Sequence, residues 1–307
     1  MFKYSLDNKR YHTLNYYYRH KYGKKVFKVS LNANFSCPNK INGNGCIFCS
    51  KLGSGDFAGN VSKDLITQFN EVKEIMEHKW PDAYYIGYFQ ANTNTYAPVN
   101  ILKTKFEPIL KMPNLVGLSI ATRSDCINEE CLNYLKDLNT RTNLTIELGL
   151  QSMYDETLKY LNRGHDLNNF ITCVKKLKES NIKVVVHIIN GLPGETKEMM
   201  INTAKFLNDL NIDGIKIHML HVIKNTPLAD IYLSKPFHLL TKDEYIDIVV
   251  SQLEVLKPEI VIHRLTGDPK KENLIAPDWV LKKFVVLNDI DKEMKRRDTY
   301  QGSKISS

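Results

Sequence analysis

From residue 26 onward the chain alternates short apolar runs with longer stretches whose apolar positions recur every three to four residues. Val26–Leu31, Ala83–Phe89, Leu115–Ala121, Leu144–Leu150, Ile182–Ile189 and Asp213–Leu220 have the length and composition of strands. Between them Ser62–Lys79, Asn100–Lys111, Asn128–Asp137, Tyr154–Leu161, Leu167–Ser180 and Glu195–Leu210 read as helices. Ser62–Lys79 carries its stripe at Leu65, Ile66, Phe69, Val72, Ile75 and Met76, and Asn128 caps a first turn rich in acid. A further strand is expected at Ile260–Leu265, a helix at Asp278–Arg297, and a frayed end over Asp298–Ser307.

Six strands joined in turn by helices make a parallel sheet, because each crossover returns the chain to the same edge. A closed eight-unit barrel takes about 250 residues, whereas these six units end at residue 220. The expected fold is therefore α/β: a partial (β/α)6 TIM-like barrel over residues 26–225. A basic, tyrosine-rich N-terminal extension (1–25) and a C-terminal extension (226–307), both helical, flank it. No Pro/Gly/Ser-rich linker separates these parts.

Strands covered on both faces should be apolar throughout, so polar positions near their C-terminal ends point to the working face of a barrel. Tyr88, Gln90 and Asn92 alternate on one strand, with Thr93 just beyond. Ser119, Ala121 and Arg123 share a face; Arg123 suits an anionic group, or an ion pair with Asp125 or Glu147. Thr145, Glu147, Gly149 and Gln151 share another, and a glutamate buried there needs a partner. Lys183, Val185 and His187 alternate, followed by the turn Asn190–Thr196; a lone strand histidine is commonly a satisfied core residue. Lys216 and His218, with His221 beyond, would face the cavity as proton-transfer or substrate-binding groups, unless Lys216 simply pairs with Glu147.

Composition changes this picture little. Of the 307 residues, 43% are hydrophobic and 25% charged, ordinary for a globular protein. No apolar run is long enough to cross a bilayer, and the N-terminus has no apolar signal region, so no membrane partner is expected and the cytoplasm is the default location. Charge adds more. The net charge of +8 favours an anionic partner such as nucleic acid, although a lysine-rich surface also serves solubility. Residues 1–28 hold eight Lys or Arg and six tyrosines against the single acid Asp7. Such a mixture suits RNA phosphates and unpaired bases, and equally a helix packing its tyrosines on the barrel.

Half of the six cysteines, Cys37, Cys46 and Cys49, fall within thirteen residues of a Gly/Asn-rich loop. Thiolates this close read as metal ligands. No Cys, His or Asp occurs from residue 21 to 36, so a four-ligand structural zinc site would be incomplete. Three thiolates suit an iron–sulfur cube with one iron left open. Cys126, Cys131 and Cys173 lack such spacing and read as buried thiols.

With its eight residues between the first two cysteines, this loop resembles the cluster loop of radical S-adenosylmethionine (SAM) enzymes, in the long-spacing form found near the Elongator catalytic subunit. The resemblance runs from about Tyr11 to Gln301. It implies a [4Fe-4S] cluster on Cys37, Cys46 and Cys49, SAM on the open iron, and a 5′-deoxyadenosyl radical that abstracts hydrogen. Glu147–Ser152 with Leu161–Asp166 is similar to a signature shared with the oxygen-independent coproporphyrinogen oxidase branch, which assigns Gln151 and Arg163 to SAM. The family's Gly-Gly-Glu stretch for the SAM amino group is missing; Gln90, Asn92 or Thr93 would replace it. Phe48, Arg123 and Glu147 join the cofactor-binding set, as does His187, whose segment faces the SAM ribose and adenine in the family. The resemblance further implies tRNA as substrate, with wobble 5-carboxymethylaminomethyl-uridine converted to the 5-aminomethyl form. An electron donor such as flavodoxin or ferredoxin and a downstream methyltransferase would be its partners. A radical SAM enzyme acting on a small metabolite or peptide, and a non-enzymatic metal-stabilised RNA-binding protein, are the competing readings.

Overall fold

The computed structural model describes residues 2–5, 8–43, 45–50, 53 and 57–305; Asp7 and Asn44 lie outside them. The strands are β1 (Val26–Leu31), β2 (Tyr84–Phe89), β3 (Leu115–Thr122), β4 (Leu144–Gln151), β5 (Lys183–Asn190), β6 (Gly214–Met219), β7 (Val222–Ile223), β8 (Val261–Arg264) and β9 (Leu274–Ala276). The helices are α1 (Leu14–Tyr22), α2 (Pro38–Ile41), α3 (Leu65–Lys79), α4 (Val99–Leu110), α5 (Glu129–Arg141), α6 (Asp155–Tyr160), α7 (Leu167–Glu179), α8 (Lys197–Phe206), α9 (Pro227–Ser234), α10 (Lys242–Val255) and α11 (Lys283–Arg296).

Seven parallel strands form one sheet in the order β1-β2-β3-β4-β5-β6-β8, while β7 and β9 pair antiparallel beside it. The sheet is the expected α/β partial barrel, extended by one strand drawn from the C-terminal region. Each strand has an outer face against the helices and an inner face against the barrel axis. Val29, Leu31, Tyr85, Phe89, Leu118, Ile120, Ile146, Leu148, Val184 and Val186 point outward and join the helices in one apolar core. The inner positions break the all-apolar rule for parallel strands: Lys28, Tyr88, Ser119, Glu147, His187 and Lys216 lie there. An interior this polar must satisfy its own hydrogen bonds, and that demand organises the site.

Helix α1 lies across the N-terminal ends of the strands. Thr13 caps it by accepting from the Tyr16 N–H, and Gly23 ends it in the left-handed conformation with φ +69°. Tyr18 is buried against Val26 and Ile86. Lys183 Nζ donates to Tyr17 Oη at 2.6 Å, and Lys21 Nζ to Asn143 Oδ1 at 2.7 Å. Tyr4 stacks on His12 at 4.2 Å. The N-terminal tyrosines thus pack on the barrel and on one another, on the side away from the strands' C-terminal ends.

The sequence pattern assigns no element between residues 221 and 259, yet α9 and α10 lie there. Helix α10 buries Tyr245, Ile246, Ile248, Val249, Val250 and Leu253, so its apolar positions run nearly all round and form no single stripe. Its local signal is the capping box of Thr241 and Glu244. The expected helices at Glu195–Leu210 and Asp278–Arg297 each divide into an α-helix and a short 3-10 turn. The expected fraying after Asp298 is corrected for residues 298–305: the Gln301 side chain is fully buried, donates to Lys257 O and Ile260 O, and accepts from the His12 N–H. Two distant stretches of chain tie the end down, which local composition does not report.

A candidate cluster and cosubstrate site at the barrel mouth

One cavity of about 360 Å3 opens at the C-terminal ends of the strands. Cys37, Cys46 and Cys49 reach it from the loop after β1, with Phe48 between the last two. The loop is held from outside: Asn162 Nδ2 donates to Gly45 O at 2.7 Å, and Asn39 Nδ2 to Asn162 O at 2.6 Å. Gly45 adopts φ +73°, a turn conformation that favours glycine. Cys126, Cys131 and Cys173 do not line the cavity; the latter two are buried under the helices.

After β2, Gln90, Asn92 and Thr93 line the same cavity. Asn92 sits at φ +58° and accepts from Lys40 Nζ at 3.1 Å. Arg123, ending β3, grips Asp125 with two hydrogen bonds (2.9 and 2.7 Å) and donates to Arg163 O at 2.8 Å. The ion pair with Asp125 is thus present, and the rest of the guanidinium still borders the cavity. Gln151 ends β4 at φ +73°, where the register with β5 shifts. Arg163 Nη2 donates to Gly149 O at 2.8 Å, and its Nη1 lies 3.7 Å from Cys46 Sγ. A Cβ at residue 149 would stand 2.6 Å from Gln151 Nε2 and 2.9 Å from Arg163 Nη2, so the glycine makes room for both.

Below this rim lies Glu147, fully buried. It accepts from Lys28 Nζ and Lys216 Nζ, both at 2.5 Å, from Ser119 Oγ at 2.6 Å and from His187 Nε2 at 2.8 Å. Lys216 Nζ also donates to Tyr88 Oη at 3.0 Å. Burial by itself would raise the Glu147 carboxyl; Lys216, Lys28 and His187 outweigh it and hold the group well below the usual carboxylate range. Burial, with Lys216 beside it, lowers His187 to about 4. His218, its ring 5.6 Å from that of His187, is lowered in the same direction, chiefly by burial. Lys216 falls to about 7, again chiefly through burial; Glu147 pulls it back up, and Lys28, which shares that carboxylate, pushes it further down.

Lys28, Lys40, His263 and Arg264 are not among the site residues expected from the sequence. Lys28 counts there as one of the basic N-terminal residues; its place two residues from Val26 and from Ser30 on an apolar strand is the clue. Arg264, at the end of the expected Ile260–Leu265 strand, has the same positional clue as Arg123. Lys40 has none.

A partial barrel with three thiols and an arginine at its mouth is an α/β architecture suited to holding a metal cluster where barrel enzymes work. The model of the Radical SAM superfamily matches residues 36–207, and that of the radical SAM C-terminal domain matches residues 212–296. This chain belongs to the radical SAM superfamily. It is 49% identical to YtqA of Bacillus subtilis over 98% of this chain and 94% of that protein. A tRNA uridine(34) acetyltransferase of Methanocaldococcus infernus is 31% identical over 50% of this chain, which spans 29% of that relative. Among solved structures, Elp3 of Methanocaldococcus infernus superposes with a TM-score of 0.69 at 19% identity, over 91% of this chain and 64% of that one. The protein is therefore a radical SAM enzyme with a [4Fe-4S] cluster and SAM as cofactors.

The residues present fit those cofactors. Three thiols from one loop reach the same cavity, the donor set that an iron–sulfur cube with one open iron takes. Burial pushes the Cys49 thiol up to about 11 against the pull of Lys40 and Arg163, and a metal cation beside it would favour the thiolate. The buried Nε of Arg163 has no hydrogen-bond partner among the described residues, and the side chain lines the cavity, so a bound ligand oxygen would satisfy it. When bound, cluster and SAM supply a carbon-centred radical for hydrogen abstraction. Around it Lys40, Arg123 and Arg163 set a positive rim, and Tyr88, Glu147, His187 and Lys216 form a hydrogen-bonded floor. Among the described residues, no helix is long and apolar enough to cross a membrane.

Proposed function

We propose that this radical SAM enzyme acts on tRNA at the wobble uridine, converting 5-carboxymethylaminomethyl-uridine to 5-aminomethyl-uridine, which a methyltransferase then completes; the carboxymethyl group leaves as glyoxylate, water supplying its aldehyde oxygen and SAM taking up the two electrons as it is cleaved to methionine and 5′-deoxyadenosine. The observation that carries this reading is the match of half the chain to a tRNA uridine(34) acetyltransferase. The cationic cavity supports it, because the group to be removed ends in a carboxylate. The basic N-terminal segment supports it less directly, since its tyrosines are engaged in packing at the far end of the barrel. Cys37, Cys46 and Cys49 hold the cluster; Phe48, Gln90, Asn92, Thr93, Arg123, Gln151 and Arg163 bind SAM; Glu147 and His187, expected from the sequence to bind SAM directly, are bonded to each other, Glu147 also to Lys28 and Lys216, and order the floor beneath it; Lys216 and His218 serve the substrate. A reduced flavodoxin or ferredoxin supplies the electron.

Nucleoside mass spectrometry of tRNA from a deletion strain tests this. Accumulated 5-carboxymethylaminomethyl-uridine is the expected result, and an unchanged profile removes the proposal. The rival substrate class, a small metabolite or peptide, is separated by a salt titration: tRNA affinity should fall steeply with salt, as phosphate contacts require.

A further inference from the structure

Two carboxylates face the cavity from its floor and wall, and each is divided between two cations. Glu147 serves Lys28 and Lys216. Asp268 serves Arg264 at 3.3 Å and Lys283 at 3.0 Å. Lys216 on β6 and Arg264 on β8 are direct register partners, because a shift after Ile215 sets Arg264 rather than His263 opposite Lys216. Two half-compensated cations therefore stand side by side on neighbouring strands, both lining the cavity. Lys216 is buried, so surplus positive charge there is costly unless an anion meets it, while the guanidinium of Arg264 stays open enough for a ligand to reach. A guanidinium beside an ammonium matches a carboxylate, with one bidentate contact and one point charge.

We propose that Lys216 and Arg264 form a subsite for the carboxylate of the substrate. The proposal rests on the wobble-uridine reading, in which the group processed is a carboxymethylamine. A phosphate of the tRNA backbone is the other oxyanion this chemistry could take. Around Lys216, the charged and titratable groups are Lys28 on β1, Tyr88 on β2, Glu147 on β4, His187 on β5, His218 on β6, and His263 and Arg264 on β8. Only Glu147 among them is an acid, so an incoming carboxylate has no nearby competitor except Asp268.

The test uses reconstituted holoenzyme with SAM and compares tRNA bearing 5-carboxymethylaminomethyl-uridine with tRNA bearing 5-aminomethyl-uridine. Wild type should bind the first more tightly. Arg264→Gln should raise KM for it at least tenfold, erase the preference and leave SAM affinity unchanged, while Arg264→Lys recovers part of the loss. If wild type processes the first tRNA and Arg264→Gln changes neither KM nor preference, or weakens SAM instead, the subsite is overturned while the function stands. If wild type processes neither tRNA, N-methylglycine and inorganic phosphate are titrated against the holoenzyme by ligand-observed NMR. N-methylglycine binding that vanishes in Arg264→Gln keeps the carboxylate subsite and discards the wobble-uridine reading. Preference for phosphate, or binding of neither, overturns the subsite.

Discussion

The Lys216 ammonium lies 2.5 Å from Oε2 of Glu147, while Lys28 holds the other oxygen of the same carboxylate at 2.5 Å. The barrel floor is thus a cation–carboxylate–cation bridge across β1, β4 and β6. Removing the carboxylate leaves two buried ammonium groups facing each other. Glu147→Gln should cost about 3–5 kcal/mol, the range for breaking a buried pair. Glu147→Gln with Lys216→Met should recover part of that loss. Urea midpoints of the two variants check this, and a double variant no more stable than the single one refutes the charge argument.

Acid should weaken the fold through its histidines. His187 is lowered to about 4 in the folded protein against 6.5 when unfolded. Between those values the unfolded chain binds a proton that the folded one does not. Stability is therefore full above pH 6.5 and drains away as pH falls towards 4, by at most about 1.4 kcal/mol per pH unit for this one group. His12, His218 and His263 are lowered too and act in the same direction. His187→Gln should make the urea midpoint fall less steeply between pH 6.5 and 4.5; an equal slope would mean the group is protonated in the fold.

Gly149→Ala tests the room left for Gln151 and Arg163. The added Cβ meets both side-chain ends, so one of them must swing away. Equilibrium dialysis should show SAM affinity down about tenfold, equivalent to about 1.4 kcal/mol, with the thermal midpoint little changed. Undiminished affinity would remove both residues from the SAM site.

The six cysteines should divide cleanly. Ala at Cys37, Cys46 or Cys49 should abolish cluster assembly, read as iron per chain and visible absorbance after anaerobic reconstitution. Ala at Cys126, Cys131 or Cys173 should leave iron content unchanged. Loss of iron in the Cys126 variant would redraw the ligand set.

Tyr18→Ala asks what α1 is for. Tyr18 fills the barrel's lower end against Val26 and Ile86, and truncating a buried aromatic costs about 3–5 kcal/mol. A stable variant with weakened tRNA binding would instead make the tyrosines an RNA surface.

How much of this was legible in the sequence depends on the range of the signal. The six strand–helix units, the partial barrel and the cysteine loop all follow from periodicities and spacings within a few residues, and local chemistry writes those directly into the chain. The polar positions Glu147, His187, Lys216 and His218 stood out because each interrupts an apolar strand. Their partners did not. Lys28 and Glu147 are 119 residues apart, and Lys28 and His263 235 apart, in sequence; only the curling of the sheet brings them into contact. The buried end at Gln301, the crowded helix α10 and the pairing of Lys216 with Arg264 across a register shift are likewise products of closure. Charge compensation acts through space, so which cation meets which carboxylate was decided by the tertiary structure alone.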